Sequence, residues 1–194
     1  MKLARAFVAV GSNIDPAVNV RAAIRALALQ VQVTGVSTIY RTEPERRPDQ
    51  APFYNGVVEI QTRLSPRSLK FQVLRGIEAA LGRQRTSDKD APRTIDLDLI
   101  VYDDLVLNTG GLVLPDPDIA RRPFLAVPLR ELAPDLAPAE TVRPAGAWSA
   151  RLPGVRLRPL RAYTARLRRD IRGGNGPAPR SGNAGLKRRG NLTT

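Results

Sequence analysis

A mixed α/β chain, with an antiparallel or mixed sheet and helices on one face, is what this sequence predicts. Three observations carry that prediction. Short β-branched, alternating runs and segments of helical apolar spacing follow one another in the order strand, helix, strand, strand, helix, strand. Both helical segments open on an N-cap residue followed by Pro, at Asp15-Pro16 and Ser65-Pro66. The 194 residues suit one domain plus an appendage better than two domains. The order is that of the split βαβ, ferredoxin-like sandwich, here with extra C-terminal helices and an edge strand.

Leu3 to Val10 reads as the first strand, ended by Gly11-Ser12-Asn13. The helix opened by Asp15-Pro16 buries Val20, Ala23, Ile24 and Leu27 along one face. A second strand is predicted from Val31 to Arg41, then a polar, proline-bearing loop from Glu43 to Pro52. Phe53 to Thr62 is the third strand, antiparallel to the second. The helix opened by Ser65-Pro66 places Leu69, Val73, Leu74, Ile77 and Leu81 on one side. A basic loop, Arg83 to Arg93, leads into Thr94 to Tyr102, the strongest strand in the chain. Val106 to Leu114 reads as a hairpin about Gly110-Gly111. Asp118 to Val127 and Leu129 to Leu132 read as short helices. An edge strand is expected near Trp148 or from Val155 to Leu160.

Composition excludes whole chemistries. The chain has no Cys and no His, so thiol nucleophiles, disulfides, imidazole bases and N- or S-ligated zinc are ruled out. Any metal must sit on oxygen ligands, which favours Mg²⁺ or Ca²⁺. The apolar run from Phe7 to Val10 is too short to span a bilayer or form a signal-peptide core, so a cytoplasmic protein is expected. The net charge is +13, and it is uneven. From Ala165 onward eight basic residues face Asp170 alone, and beyond Gly173 the large apolar side chains are Leu186 and Leu192. Residues 1–164 are therefore expected to form the domain and residues 165–194 a disordered basic tail. Such a tail can touch nucleic acid through charge.

The chemistry concentrates in Pro92-Arg93-Thr94-Ile95-Asp96-Leu97-Asp98. Alternation puts Asp96 and Asp98 on one strand face, about 7 Å apart, and Ile95, Leu97 and Leu99 on the other. Asp is disfavoured in strands, and two carboxylates so placed repel unless a cation lies between them. Mg²⁺ suits hard oxygen ligands and commonly arrives with substrate phosphates. Arg83, Arg85 and Arg93 flank the pair, and guanidinium forks match phosphate oxygens. The layout is that expected for phosphoryl transfer. Gly11-Ser12-Asn13 lacks the Gly-Lys-Ser/Thr ending of a P-loop and reads as a strand-to-helix turn.

These residues resemble the 6-hydroxymethyl-7,8-dihydropterin pyrophosphokinase family. The matching pieces are Val8-Ala9-Val10-Gly11-Ser12-Asn13, Ser37-Thr38-Ile39-Tyr40-Arg41-Thr42, Phe53-Tyr54-Asn55-Gly56, Gly82-Arg83, the block from Pro92 to Asp98, Leu114-Pro115 and Arg122-Pro123-Phe124-Leu125. They fall in family order over residues 1 to about 136. The resemblance implies ATP-dependent pyrophosphoryl transfer to the pterin hydroxymethyl group, releasing AMP, in folate biosynthesis. It implies two Mg²⁺ ions on Asp96 and Asp98, with Arg83, Arg93 and Asp98 as catalytic residues. Thr42, Phe53, Asn55, Asp96 and Phe124 are implied as pterin contacts. Arg85, Arg93, Leu99, Asp116 and Arg122 are implied as ATP contacts. The loops Glu43 to Pro52 and Gly82 to Pro92 are implied to close over the substrates.

Three positions depart from the family pattern. Asp116 stands where a His is usual, Gly110-Gly111 where members can carry a phosphate-binding Arg, and no Trp lies near Asp90. Asp116 is expected to pair with Arg121 or Arg122. The other readings are a pterin-binding homologue impaired in transfer and a basic nucleic-acid-binding protein of the same scaffold. The latter scaffold needs aromatics on central strands, and this chain has 5% aromatics. The expected partners are therefore the small-molecule substrates, with a monomeric chain.

Overall fold

The computed structural model describes residues 2–44, 47–88, 90–136 and 156–174. The first strand, β1 (Ala4–Ser12), leads into helix α1 (Pro16–Ala28), followed by β2 (Gln32–Val36), β3 (Tyr40–Thr42) and β4 (Phe53–Thr62). The second helical region has three parts: α2 (Pro66–Ser68), a π-helical segment (Leu69–Leu74) and α3 (Arg75–Ala80). Strand β5 (Asp96–Tyr102), the hairpin β6 (Leu107–Thr109) and β7 (Leu112–Leu114), a 3₁₀ turn (Pro117–Ala120) and α4 (Pro123–Leu132) come next. Strand β8 (Arg158–Pro159) and α5 (Arg161–Gly174) end the described chain. Among these residues no helix is long and apolar enough to cross a membrane.

The main sheet runs β5-β1-β4-β3-β8, with β2 also paired to β4, and all its pairings are antiparallel. Alternation along β1 sends Ala6, Val8 and Val10 to one face and Phe7 and Ala9 to the other. The first face packs on Val20, Ile24 and Leu27 of α1, on Leu69, Leu74 and Ile77, and on Leu167 and Ile171 of α5. The second face packs on Leu125, Ala126 and Leu129 of α4 and on Ile119. Helices thus cover both faces rather than the single face expected. Alternation already puts Phe7, Ala9 and Val57 on that second face, and a bulge in β5 adds to it. Phe7 pairs with Val101 and Val8 with Leu99, so Ile100 is an extra residue on β5. Ile100 and Val101 both join the second cluster, and Tyr102 returns to the first.

Several expectations change. The single strand from Val31 to Arg41 is two strands. Ser37 Oγ accepts the Val57 N–H at 2.9 Å, the Thr38 N–H goes to Glu131 at 2.7 Å, and the Ile39 N–H goes to Thr164 Oγ1 at 3.0 Å. These bonds draw the backbone out of the ladder. Asp15 sits at the N-cap of α1, but with φ 42° and no side-chain cap bond. One helix, α4, runs through Pro128, because burial of Leu125, Pro128 and Leu129 offsets the lost hydrogen bond. The expected disordered tail from residue 165 is corrected over its first part. Arg161–Gly174 is a helix with Leu167 and Ile171 buried, a 3.6-period stripe hidden among arginines. Residues 175–194 and Trp148 lie outside the described residues.

Candidate active site

Register builds the floor of the site. On the second face Gly11 lies between Asn55 of β4 and Asp96 of β5, and Ala9 lies between Val57 and Asp98. The two small residues of β1 keep the middle low, so a cavity opens between an amide-bearing side and an acidic side. Gly11 is required by close approach, since a Cβ there would stand 2.7 Å from Asn55 Oδ1. Asn55 is buried and its Nδ2 donates to Thr42 Oγ1 at 2.7 Å. Phe53 and Phe124 line the same cavity, beside Leu125 and Ile100.

Two arginines hold Asp96. Arg93 Nη1 lies 2.5 Å from its Oδ2 and Arg83 Nη1 3.1 Å from its Oδ1. Arg83 also donates to the Ile95 carbonyl at 2.6 Å. The Arg93 guanidinium sits 5.8 Å from the Phe53 ring centre, and its backbone N–H donates to Asn13 Oδ1 at 2.7 Å. Asp98 is placed differently. About half of its side-chain surface stays open (48%), and its nearest cation among the described residues is Lys70 Nζ at 4.0 Å. Crowding by the protein, then the Asp96 charge, pushes its carboxyl up to about 6. A carboxylate so raised is one that an added cation would relieve.

Among the described residues Asp116 pairs with neither Arg121 nor Arg122, contrary to expectation. Its N–H donates to the Ile100 carbonyl at the bulge, 2.8 Å away, and its Oδ1 accepts the Asp118 N–H at 2.8 Å. It is therefore the N-cap of the 3₁₀ turn, which the Asp116-Pro117-Asp118 spelling signals. Burial raises its carboxyl above the usual range. Arg122 pairs instead with Asp118 Oδ2 at 2.9 Å and leans over the Phe124 ring at 5.6 Å.

Two expected ATP contacts point elsewhere. The Leu99 side chain faces the core on the opposite side of the sheet, as alternation requires. Arg85 bonds to Glu78, which is buried and also accepts the Leu97 N–H at 3.0 Å. Sequence reasoning missed Glu78 and Lys70, both embedded in an apolar helical pattern. It also missed the contacts between the two loops. Arg47 pairs with Asp88 at 2.7 Å, and Gln50 bridges Asn13 Nδ2 at 3.2 Å and the Asp90 carbonyl at 2.8 Å.

The family model described as 7,8-dihydro-6-hydroxymethylpterin-pyrophosphokinase (HPPK) matches residues 7–134. This chain belongs to the HPPK family. Among curated HPPK relatives, the 2-amino-4-hydroxy-6-hydroxymethyldihydropteridine pyrophosphokinase of Methylorubrum extorquens is 42% identical over 147 residues, 74% of this chain and 92% of that protein. The folic acid synthesis protein fol1 of Schizosaccharomyces pombe is 38% identical over 78% of this chain, which spans 21% of that longer protein. A solved Plasmodium falciparum HPPK-DHPS structure matches the fold with a TM-score of 0.57 at 11% identity, covering 76% of this chain and 43% of that one. The HPPK match holds all the cavity residues named above and stops short of α5.

Proposed function

We propose that this chain is the pyrophosphokinase its family membership indicates, acting in folate synthesis. It transfers the β,γ-pyrophosphoryl group of ATP to the hydroxymethyl oxygen of 6-hydroxymethyl-7,8-dihydropterin. The observation that carries the reading is the row Asn55–Gly11–Asp96, with the Asn55 amide across β1 from the acidic, arginine-held end. The sheet order β5-β1-β4-β3, taken as strands four, one, three and two, supports the ferredoxin-like assignment.

A flat pterin fits between Phe53 and Phe124, its edge read by Asn55 and by groups near Thr42. The hydroxymethyl oxygen then points toward Asp96 and Asp98. In the transfer that oxygen bonds to the β-phosphorus, the bond from the β-phosphorus to the α–β bridging oxygen breaks, AMP leaves, and the hydroxyl proton is released. Arg83 and Arg93 lie where they can take up charge on the phosphates. The donor set fits Mg²⁺. Two carboxylates share one face, Asp98 lacks a close cation, and no third acidic ligand completes a cluster among the described residues, which leaves positions for phosphates and water. When bound, Mg²⁺ at Asp96 and Asp98 would neutralise phosphate charge. The contacts between the Arg47 and Asp88 loops support a role in excluding water, the competing acceptor.

The test is AMP formation from ATP, Mg²⁺ and the pterin, beside an Asp96→Ala, Asp98→Ala double variant. Pterin-dependent AMP that disappears in the variant is expected. A folded wild-type protein that binds pterin without forming AMP would instead establish the impaired homologue.

A further inference from the structure

The cations around the acidic end of the site divide into two groups. Arg83 and Arg93 are engaged by Asp96, Arg85 by Glu78 and Arg122 by Asp118. The second group lies on α2 and the π segment. Arg67 makes no ion pair among the described residues, and Lys70 has only the 4.0 Å approach to Asp98 Oδ1. Lys70 is also four-fifths buried, with 20% of its side chain exposed. A largely buried ammonium with one long pairing has hydrogen-bonding capacity to spare.

The geometry around these two residues is specific. The π segment packs against β5, and π turns recur at functional sites. It places Lys70 where its charge acts on both Asp98 and Asp116. The guanidinium of Arg67 lies over the Phe71 ring at 5.2 Å, which it shares with Arg75 at 4.4 Å. Arg67 Nη1 also reaches the hairpin, where a Cβ on Gly110 would stand 2.9 Å from it. Gly110 has φ +57° and no side chain, so Arg67 fills the space that a longer residue on the hairpin would need.

We propose that Lys70 and Arg67 bind the phosphates of the nucleotide, Lys70 beside the Asp98 end and Arg67 beside Gly110. An extended polyanion suits two cations three residues apart on one helical segment. It also suits the need to bring a triphosphate next to Asp98 and Asp116, whose charges repel it. The inference rests on the pyrophosphokinase reading and adds to it the residues that hold the nucleotide in this chain.

The experiment compares wild type with Lys70→Met, Lys70→Arg, Arg67→Ala and the Lys70→Met, Arg67→Ala double variant. It measures KM for ATP, KM for pterin and kcat, and the affinity for α,β-methylene-ATP with Mg²⁺ by calorimetry. Lys70→Met is expected to raise KM for ATP and the analogue Kd about tenfold, about 1.4 kcal/mol. The double variant should lose more, Lys70→Arg should regain most of the loss, and KM for pterin should stay within about twofold. Arg67 is on the surface, so its variant tests the proposal even where Lys70→Met fails to fold. ATP affinity unchanged in Arg67→Ala and in every folded Lys70 variant would overturn the inference. So would an equal rise in KM for both substrates. A wild type that makes no AMP yet binds the analogue through Lys70 would sink the transfer reading and keep the phosphate site.

Discussion

Gly11 and Asn55 face each other across β1 and β4, and the side-chain oxygen of Asn55 occupies the space where a methyl on Gly11 would be, 2.7 Å from that carbon. The position of the Asn55 amide thus depends on a missing side chain one strand away.

Gly11→Ala is expected to push the Asn55 amide off Thr42. KM for pterin should rise about tenfold, with KM for ATP within about twofold, because the phosphate site proposed above is at the other end of the row. A rise confined to ATP would contradict the assignment of Asn55.

The raised carboxyl of Asp98 predicts a pH-dependent stability. An acid whose folded value exceeds its ordinary one binds its proton more tightly when folded. Its stabilising contribution is complete below about pH 4 and is lost as pH rises through about 6. Without metal, Asp98→Asn should melt with wild type at pH 4 and above it at pH 8. After discounting for its open surface, the gain is about 2–4 °C. Equal melting points at both values would show that Asp98 ionises without penalty.

Glu78 joins α3 to β5 by accepting the Leu97 N–H inside the protein. Glu78→Ala leaves that donor unpaired and should cost about 2–3 kcal/mol, a fall of about 5–10 °C in Tm. Glu78→Gln keeps an acceptor and should fall between. A melt of all three proteins orders them.

Arg47 and Asp88 connect the two loops at the surface, with side-chain exposures of 47% and 44%. Asp88→Ala should leave Tm within about 1 °C, since exposed pairs contribute little. It should lower kcat/KM about threefold to tenfold by loosening the cover of the cavity. A lower Tm with normal turnover would reassign the pair to stability.

Much of this could be seen in the residues, and what could not has a physical reason. The alternation of Asp96 and Asp98 against Leu97 and Leu99 is local, and the strand has it. The spacing of Val20, Ala23, Ile24 and Leu27 is local too, and α1 buries that stripe. The bulge at Ile100 depends on partners more than ninety residues away in β1, and no local pattern announces it. The same holds for the break at Ser37 to Ile39, set by Glu131 and Thr164. Arg85 reads as a free phosphate ligand until Glu78 is placed beside it. Asp116 had a local signal, the proline that follows it, which favours a turn cap over an ion pair.

The end of the described chain bears on solubility. Strand β8 pairs with β3, the Leu160 N–H donates to the Ile39 carbonyl at 2.8 Å, and Arg168 Nε donates to the Val36 carbonyl at 2.8 Å. Together they occupy the outer edge of the sheet, which would otherwise offer unpaired backbone to another chain. A protein cut after the family-matched residues would keep every cavity residue named here. It would also carry a raw sheet edge and the uncovered apolar patch that Leu167 and Ile171 now hide, the combination from which aggregates grow.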